Sequence, residues 1–225
     1  PALVDQLTAN PDLLNFGGEE KELSILFSDI RSFTNLSETV TPSELSRFLQ
    51  AYMDPMTDCV LKNNGTLDKY IGDAVMAIFG APVPFPTHAV DACQTALDMI
   101  HELNFIVDSV PDLKRLFPVR IGVGVHTGTV VVGNLGSSHH FNYTVIGDSV
   151  NLASRIEGLT KTLGCGILVS SDMLTSGDLD AWINVGKFQV KGKDNAVTLF
   201  TPLANRDLTP FSDGLTLFQQ GEMEQ

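Results

Sequence analysis

Two aspartates stand where short apolar segments of the chain are predicted to end. Asp29 follows the β-type stretch Leu23–Phe27, and Asp73 lies at the tip of a predicted hairpin. If these strands are neighbours in a sheet, both carboxylates meet at one edge, and such paired hard oxygen ligands suit Mg²⁺. The alternative is that each aspartate only forms a turn, Asp73 especially, because Gly72 precedes it. The spacing alone does not choose between a metal site and two turns.

A second candidate cluster combines an amide with a guanidinium. Asn151 and Arg155 are four residues apart on a helix predicted over about 149–159, so both lie on one face. An amide beside a guanidinium suits a sugar oxygen and a phosphate, whereas a solvated helical face is the plainer alternative. Lys191 opens a Lys-Gly-Lys segment that either contacts phosphate or only forms a basic turn between strands.

Several common catalytic motifs are absent from the sequence. No G-x-x-x-x-G-K-[ST] segment occurs, which excludes a P-loop. The segment Gly122–Gly128 (GVGVHTG) misses the dinucleotide-binding pattern by one residue and lies within a strand pattern. His126, inside that segment, is interpreted as structural. The three cysteines form no CxxC pair, so neither a disulfide framework nor a zinc knuckle is predicted.

The charge balance limits the partners of the protein. Its 225 residues include 14 Lys and Arg against 27 Asp and Glu, a formal net charge of −13. This excludes a broad basic face for nucleic acid and disfavours anionic lipid surfaces. An anionic substrate must therefore be held by a few local cations or by metal ions. No apolar run is long enough to span a bilayer and no signal peptide is recognisable, so a cytoplasmic location is expected.

The apolar periodicity predicts the elements that position these side chains. Their order is strand, helix, hairpin, helix, hairpin, helix and further strands. In the second hairpin, a strand over Val119–Val125 is expected to end at a turn at Thr127 and Gly128. The order predicts an α+β fold: a ferredoxin-like βαββαβ core with extra strands, in a mixed or antiparallel sheet with helices packed mostly on one face.

The predicted domain organisation has three parts. Residues 1–21 are expected to be a lead-in from a missing upstream region, 22–201 to form the folded domain, and 202–225 to be a loosely packed C-terminal tail.

Four segments of the sequence together resemble the signatures of class III nucleotide cyclase catalytic domains. The likeness is greatest to cyanobacterial-type adenylate cyclases and to soluble adenylate cyclase. The segments are Phe27–Thr34 (FSDIRSFT), Lys69–Met76 (KYIGDAVM), Gly122–Gly128 (GVGVHTG) and Tyr143–Arg155 (YTVIGDSVNLASR). They occur in the order of the family, and the resemblance extends over most of the chain.

The resemblance implies ligands for metal and purine. Asp29 and Asp73, with the backbone carbonyl of Ile30, would hold two divalent ions, Mg²⁺ or Mn²⁺. Lys69 and Thr144 occupy the positions that read the purine. These assignments come from matched motif positions, since spacing alone left the aspartates undecided.

The same resemblance implies a shared active site. Asn151 would orient the ribose, Arg155 would contact the α-phosphate and Lys191 would hold the terminal phosphates. In the family, these three residues and the purine-reading pair come from one subunit, while both aspartates come from the other. The implied protein is therefore a homodimer with two shared sites.

The implied reaction converts ATP to 3′,5′-cyclic AMP and pyrophosphate in intracellular signal transduction. A guanylate cyclase is one alternative; Lys69 disfavours it, because guanine presents hydrogens at N1 and N2. A non-catalytic homologue that only binds nucleotide or dimerises is another. Thr144 stands where many relatives have Asp, and the Thr-bearing subgroup is associated with bicarbonate activation. Upstream regulatory domains are expected in the full protein.

Overall fold

The computed structural model describes residues 17–109, 119–137, 140–174, 181–190 and 196–203. Eight strands and four α-helices lie within these ranges. In chain order they are β1 (Gly17–Ile30), α1 (Phe33–Thr39), α2 (Pro42–Lys62), β2 (Thr66–Ile71), β3 (Ala74–Phe79), α3 (His88–Ser109), β4 (Ile121–Ser137), β5 (His140–Ile146), α4 (Asp148–Leu163), β6 (Ile167–Ser170), β7 (Trp182–Phe188) and β8 (Val197–Pro202).

The sheet confirms the predicted α+β fold. Its strand order is β2-β3-β1-β4-β6-β8-β7, and β5 pairs with β4 outside this path. Each pair is antiparallel except β4 with β6, so the sheet is mixed. The first four strands with α2 and α3 reproduce the order of a ferredoxin-like βαββαβ unit, as the sequence predicted.

Local sequence explains where α2 begins. Thr41 accepts a hydrogen bond from the backbone N–H of Glu44, and the Glu44 side chain accepts one from the backbone N–H of Thr41. This capping box, with Pro42 in the first turn, satisfies backbone donors that the helix itself leaves free. The helix then buries Phe48 and Tyr52 against the sheet.

Three of the four described helices, α1, α2 and α3, pack on one face of the sheet, as predicted, and α4 packs on the other. Leu26 and Val123 point to the face that packs against α2 and α3. Ile25 belongs to the other face, where Val145 of β5 and Ala153 of α4 cover it. The alternation of neighbours such as Ile25 and Leu26 follows from the two-residue period of a strand. Because helices cover the two faces of the sheet, the ends of the strands are where polar side chains can form a site.

The predicted turn at Thr127 and Gly128 is wrong. Both residues lie inside the unbroken β4, paired with Ser24 and Leu23 of β1. The hydroxyls of Ser24 and Thr127 are also hydrogen-bonded, at 2.6 Å. Tertiary pairing along a strand as long as β1 overrides the turn preference of the local sequence.

The boundaries of the predicted domain stay a prediction. β1 begins at Gly17, upstream of the expected start at residue 22. Most of the predicted lead-in and of the predicted tail lies outside the described residues. In the part of the chain that the structure describes, no helix combines the length and hydropathy of a transmembrane span.

Candidate active site

The turn between β2 and β3 brings two carboxylates together. β3 lies beside β1, with Val75 paired to Ser28, so the turn carries Asp73 to the end of β1, where Asp29 stands. The backbone N–H of Ile30 donates to Asp73 Oδ2 at 3.1 Å. Burial and the neighbouring carboxyl of Asp29 raise the pKa of Asp73 to about 7. The adjacent strands thus produce the carboxylate pair that the sequence suggested.

This pair has the chemistry of a divalent-cation site. Two close carboxylates that repel each other gain most when a cation lies between them, since opposite charge favours the ionised form. No group of three or more His, Cys, Asp or Glu side chains gathers for a metal within the described ranges. Mg²⁺ does not require one, because it keeps several waters and takes one or two carboxylates with substrate phosphates. Asp29 and Asp73 therefore fit an open site for Mg²⁺ or Mn²⁺ better than they fit a closed site in which every metal ligand comes from the protein.

The purine-reading candidates also meet, on strands that are distant in sequence. Lys69 of β2 donates from Nζ to Thr144 Oγ1 of β5 at 3.1 Å. Thr144 in turn donates to Asp68 Oδ2 at 2.6 Å. Lys69 remains 42% exposed in its side chain, whereas that of Asp68 is 1% exposed. The result is an accessible ammonium and a hydroxyl backed by a buried carboxylate.

Asp68 is a site residue that the sequence reasoning missed. Its position before Lys69 gave no signal, because alternation predicts that neighbouring strand residues point to opposite faces. A register shift between Leu67 and Lys69 breaks that alternation. Burial raises the pKa of Asp68, while the Thr144 hydroxyl and the Lys69 ammonium oppose that shift.

The helix α4 presents the amide and the guanidinium. Asn151 is exposed, and Arg155 is partly buried with an Nη1 atom that is buried and has no hydrogen-bond partner. An unpartnered buried guanidinium nitrogen is costly, and an anionic ligand satisfies it. Among the described residues, no hydrogen bond or ion pair joins Asn151 or Arg155 to Asp29 or Asp73. Lys191 lies outside the described residues.

The glycines of GVGVHTG let α4 lie directly on β4. A Cβ on Gly124 would lie 2.2 Å from the backbone nitrogen of Glu157 and 2.8 Å from the backbone oxygen of Ala153. A Cβ on Gly128 would lie 2.5 Å from Ser149 Oγ. These glycines serve close packing of a helix and a strand, in agreement with the exclusion of a dinucleotide site.

An ion pair ties the same helix to the end of β1. Arg31 Nη1 lies 3.0 Å from Glu157 Oε1, and both side chains are largely buried. Burial raises the pKa of Glu157 to about 7, with the Arg31 guanidinium opposing the shift. The pair fixes α4 relative to the strand end that carries Asp29.

A cavity of about 400 Å³ opens between the end of β1 and the C-terminal part of α4. Ile30 is the one predicted site residue in its lining, which also includes Arg31, Arg120 and Lys161. The other candidate side chains that the structure describes lie outside it. A site that a second subunit completes does not have to form a closed cavity within one chain.

Comparison with known proteins agrees with the resemblance seen in the motifs. The family model of the adenylate and guanylate cyclase catalytic domain matches residues 18–202. Adenylate cyclase of Anabaena cylindrica is 38% identical over 185 residues, covering 80% of this chain and 36% of that protein. The chain belongs to the family of adenylate and guanylate cyclase catalytic domains, and its cyanobacterial likeness is confirmed.

Solved structures with the same fold include both an adenylyl cyclase and a guanylyl cyclase. The adenylyl cyclase CyaB from P. aeruginosa superposes with a TM-score of 0.76 at 33% identity, covering 84% of this chain and 97% of that one. The guanylyl cyclase Cya2 superposes with a TM-score of 0.75 at 34% identity, covering 83% and 94%. The chain spans about a third or less of the length of the curated relatives it matches. The fold alone therefore does not indicate whether the nucleotide is an adenine or a guanine nucleotide.

Proposed function

We propose that this domain is an adenylate cyclase that converts ATP to 3′,5′-cyclic AMP and pyrophosphate. The observation that carries the proposal is the contact between Lys69 and Thr144, which places a donor beside an acceptor. Lys69 donates to adenine N1, and the Thr144 oxygen accepts from the 6-amino group. Guanine presents a hydrogen at N1 and an oxygen at C6, so it reverses both requirements. Relatives named adenylate cyclase support the same choice.

The metal-binding half of the site is formed by Asp29, Asp73 and the carbonyl of Ile30. When bound, two divalent ions, Mg²⁺ or Mn²⁺, supply a lowered pKa for the ribose 3′-hydroxyl and neutralise charge on the phosphates. The carboxylate pair at the end of β1 supports this assignment, since mutual repulsion gives it affinity for cations.

The remaining side chains position the substrate. Asn151 holds the ribose so that its 3′-oxygen is in line with the α-phosphorus, and Arg155 neutralises charge on the α-phosphate. The unpartnered Nη1 of Arg155 supports this role. Lys191 binds the terminal phosphates. The 3′-oxygen forms the new bond to phosphorus, the bond to the pyrophosphate oxygen breaks, and the hydroxyl proton passes to solvent.

A head-to-tail homodimer with two shared sites completes the proposal. One subunit supplies Asp29 and Asp73 to each site, and its partner supplies the purine, ribose and phosphate contacts. The lack of any bond between Asp73 and Arg155 within the described chain supports this division. Exposed apolar side chains on β2 and β5 supply surface for the contact: Tyr70, Ile71, Phe141 and Ile146.

In the full protein this domain would act in intracellular signalling under upstream regulatory domains, in the cytoplasm. We further propose that bicarbonate stimulates the activity, on the ground of Thr144 and the family resemblance alone. Sodium bicarbonate titrated against sodium chloride, at constant pH and ionic strength, should raise the rate of cyclic AMP formation. Equal rates in the two salts remove bicarbonate regulation and leave the catalytic proposal intact.

The activity is tested by measuring cyclic nucleotide formation from ATP and from GTP, with Mg²⁺ and with Mn²⁺. Asp73→Asn should lower the rate from ATP by about 100-fold or more, because it removes a negative charge that would hold the divalent ions. Asp54→Asn is the matched control: this exposed aspartate of α2 should be replaceable without effect. Preference for GTP would identify a guanylate cyclase. No product from either nucleotide would identify a binding or dimerisation homologue.

A further inference from the structure

Two hydrogen bonds to Asp68 and Lys69 leave the Thr144 hydroxyl able only to accept a hydrogen bond from a ligand. A threonine hydroxyl has one hydrogen to donate and two lone pairs that accept. Its hydrogen is directed to Asp68 Oδ2 at 2.6 Å, and one lone pair receives the hydrogen bond of Lys69 at 3.1 Å. One lone pair remains. Thr144 therefore faces a ligand as an acceptor and has no hydrogen left to donate.

The Asp68 carboxylate, which accepts the Thr144 hydrogen, is buried beside Lys69. Its side chain is 1% exposed, and its Oδ1 atom is buried without a hydrogen-bond partner, 3.5 Å from Lys69 Nζ. A short bond from a hydroxyl to a carboxylate is about twice as strong as one between neutral groups. Turning the Thr144 hydrogen toward a ligand would break the hydrogen bond that Asp68 Oδ2 accepts. Because Oδ1 already has no hydrogen-bond partner, this loss is costly for a buried carboxylate.

We propose that Asp68 determines purine specificity as a positioning residue, by locking the Thr144 hydroxyl as an acceptor. The inference rests on the proposed function, because it concerns the same purine pocket. A 6-amino purine gives its hydrogen to the locked oxygen and its N1 lone pair to Lys69. A 6-oxo purine places an oxygen opposite the Thr144 lone pair and an N1 hydrogen opposite the ammonium, so both contacts become repulsive.

Inosine triphosphate is the best probe of the hydrogen bond between Thr144 and Asp68 and of its effect on purine specificity. It presents the same 6-oxo group and N1 hydrogen as guanosine triphosphate but has no 2-amino group, so it isolates the positions that face Lys69 and Thr144. In the wild-type protein, kcat/KM and the dissociation constant should both favour ATP over inosine triphosphate. Binding is measured alongside turnover, so that the preference is defined whatever the rate.

Asp68→Asn removes the lock with little change of volume. The amide can donate to the Thr144 oxygen, which frees the hydroxyl hydrogen for a 6-oxo group. The ratio of ATP to inosine triphosphate, in kcat/KM and in affinity, should fall by about tenfold or more, since one hydrogen bond reverses its direction. In a Thr144→Val background, where no hydroxyl remains to be locked, Asp68→Asn should change the ratio by less than about twofold.

The outcomes separate this inference from the proposed function. A wild type that forms no cyclic AMP from ATP overturns the proposed function and the inference that rests on it, whereas a wild type that forms cyclic AMP without preferring ATP over inosine triphosphate overturns the inference alone. A wild-type preference that survives Asp68→Asn, with both nucleotides weakened equally, overturns the inference alone and leaves Asp68 a structural residue. If Asp68→Asn does not fold, Asp68→Ala takes its place, because it also frees the Thr144 hydrogen, and the same change in ratio is required of it.

Discussion

Replacing Gly124 by alanine tests whether the packing of α4 on β4 sets the catalytic geometry. The new Cβ would lie 2.2 Å from the backbone nitrogen of Glu157, 2.6 Å from its Cα and 2.8 Å from the oxygen of Ala153. Ordinary van der Waals contact begins at about 3.4 Å, and backbone atoms of a helix do not yield singly. The whole helix must therefore move away from the strand by about 1 Å.

That displacement moves the side chains that the helix presents. α4 carries Asn151 and Arg155, and a misplacement of about 1 Å can lower a rate by about 100-fold. Overpacking of this kind also lowers the free energy of unfolding by about 1 to 3 kcal/mol. In a domain of this size, each kcal/mol lowers Tm by about 2 to 4 °C. We expect Gly124→Ala to show both effects in a cyclic AMP assay and a thermal melt.

Gly158→Ala is the matched control: it is the same substitution, made in α4 itself rather than in the strand β4 on which α4 packs. A Cβ at Gly158 meets no atom within 4 Å. Because alanine restricts the unfolded chain more than glycine does, this change should stabilise the domain by about 0.4 to 1 kcal/mol and leave activity unchanged. A Gly124→Ala protein with the Tm and the rate of the Gly158→Ala protein would refute the argument that close backbone packing positions α4.

Three further predictions follow from the same structure. Mixing an Asp73→Ala chain with an Arg155→Ala chain should restore cyclic AMP formation, because one of the two sites in the heterodimer is complete; an inactive but confirmed heterodimer would contradict the shared site. Burial raises the pKa of Glu157 from its ordinary value of 4.5 to about 7, so the folded state retains a proton that the unfolded chain has lost. The free energy of unfolding of the wild type should therefore fall relative to Glu157→Gln as pH rises from about 4.5 to about 7, and parallel denaturation curves would argue against it. Lys69→Glu combined with Thr144→Cys should weaken use of ATP and admit some GTP, measured as the ratio of kcat/KM for the two nucleotides.

Local sequence was sufficient for the parts of the site that depend on neighbours in the chain. The capping residues at Thr41 and Glu44 mark the start of α2 in the local sequence, and the hairpin pattern predicted Asp73 at its tip. Adjacent β1 and β3 then bring Asp73 to Asp29, as expected if the strands were neighbours. Periodicity, capping and turn chemistry are local properties, so they can be read before the fold is known.

Contacts between distant segments could not be predicted in this way. Asp68 and Thr144 are 76 residues apart, and Arg31 and Glu157 are 126 apart. Both contacts depend on the registers of paired strands and on how closely α4 approaches Gly124. One irregular residue pair in a strand changes which side chains share a face. No local pattern encodes those registers, and so Asp68 escaped notice although it lies beside Lys69.

The acidity of the chain is consistent with a highly anionic substrate only because charge is arranged locally. A formal net charge of −13 repels free ATP at long range, but this repulsion weakens when the nucleotide arrives with a divalent cation. Under the proposed function, the carboxylate pair of Asp29 and Asp73 attracts that cation, and the unpartnered buried Nη1 of Arg155 binds an anion. The acidic surface then favours the metal complex over free nucleotide, and the partly buried Arg155 gives its phosphates a local positive charge to bind.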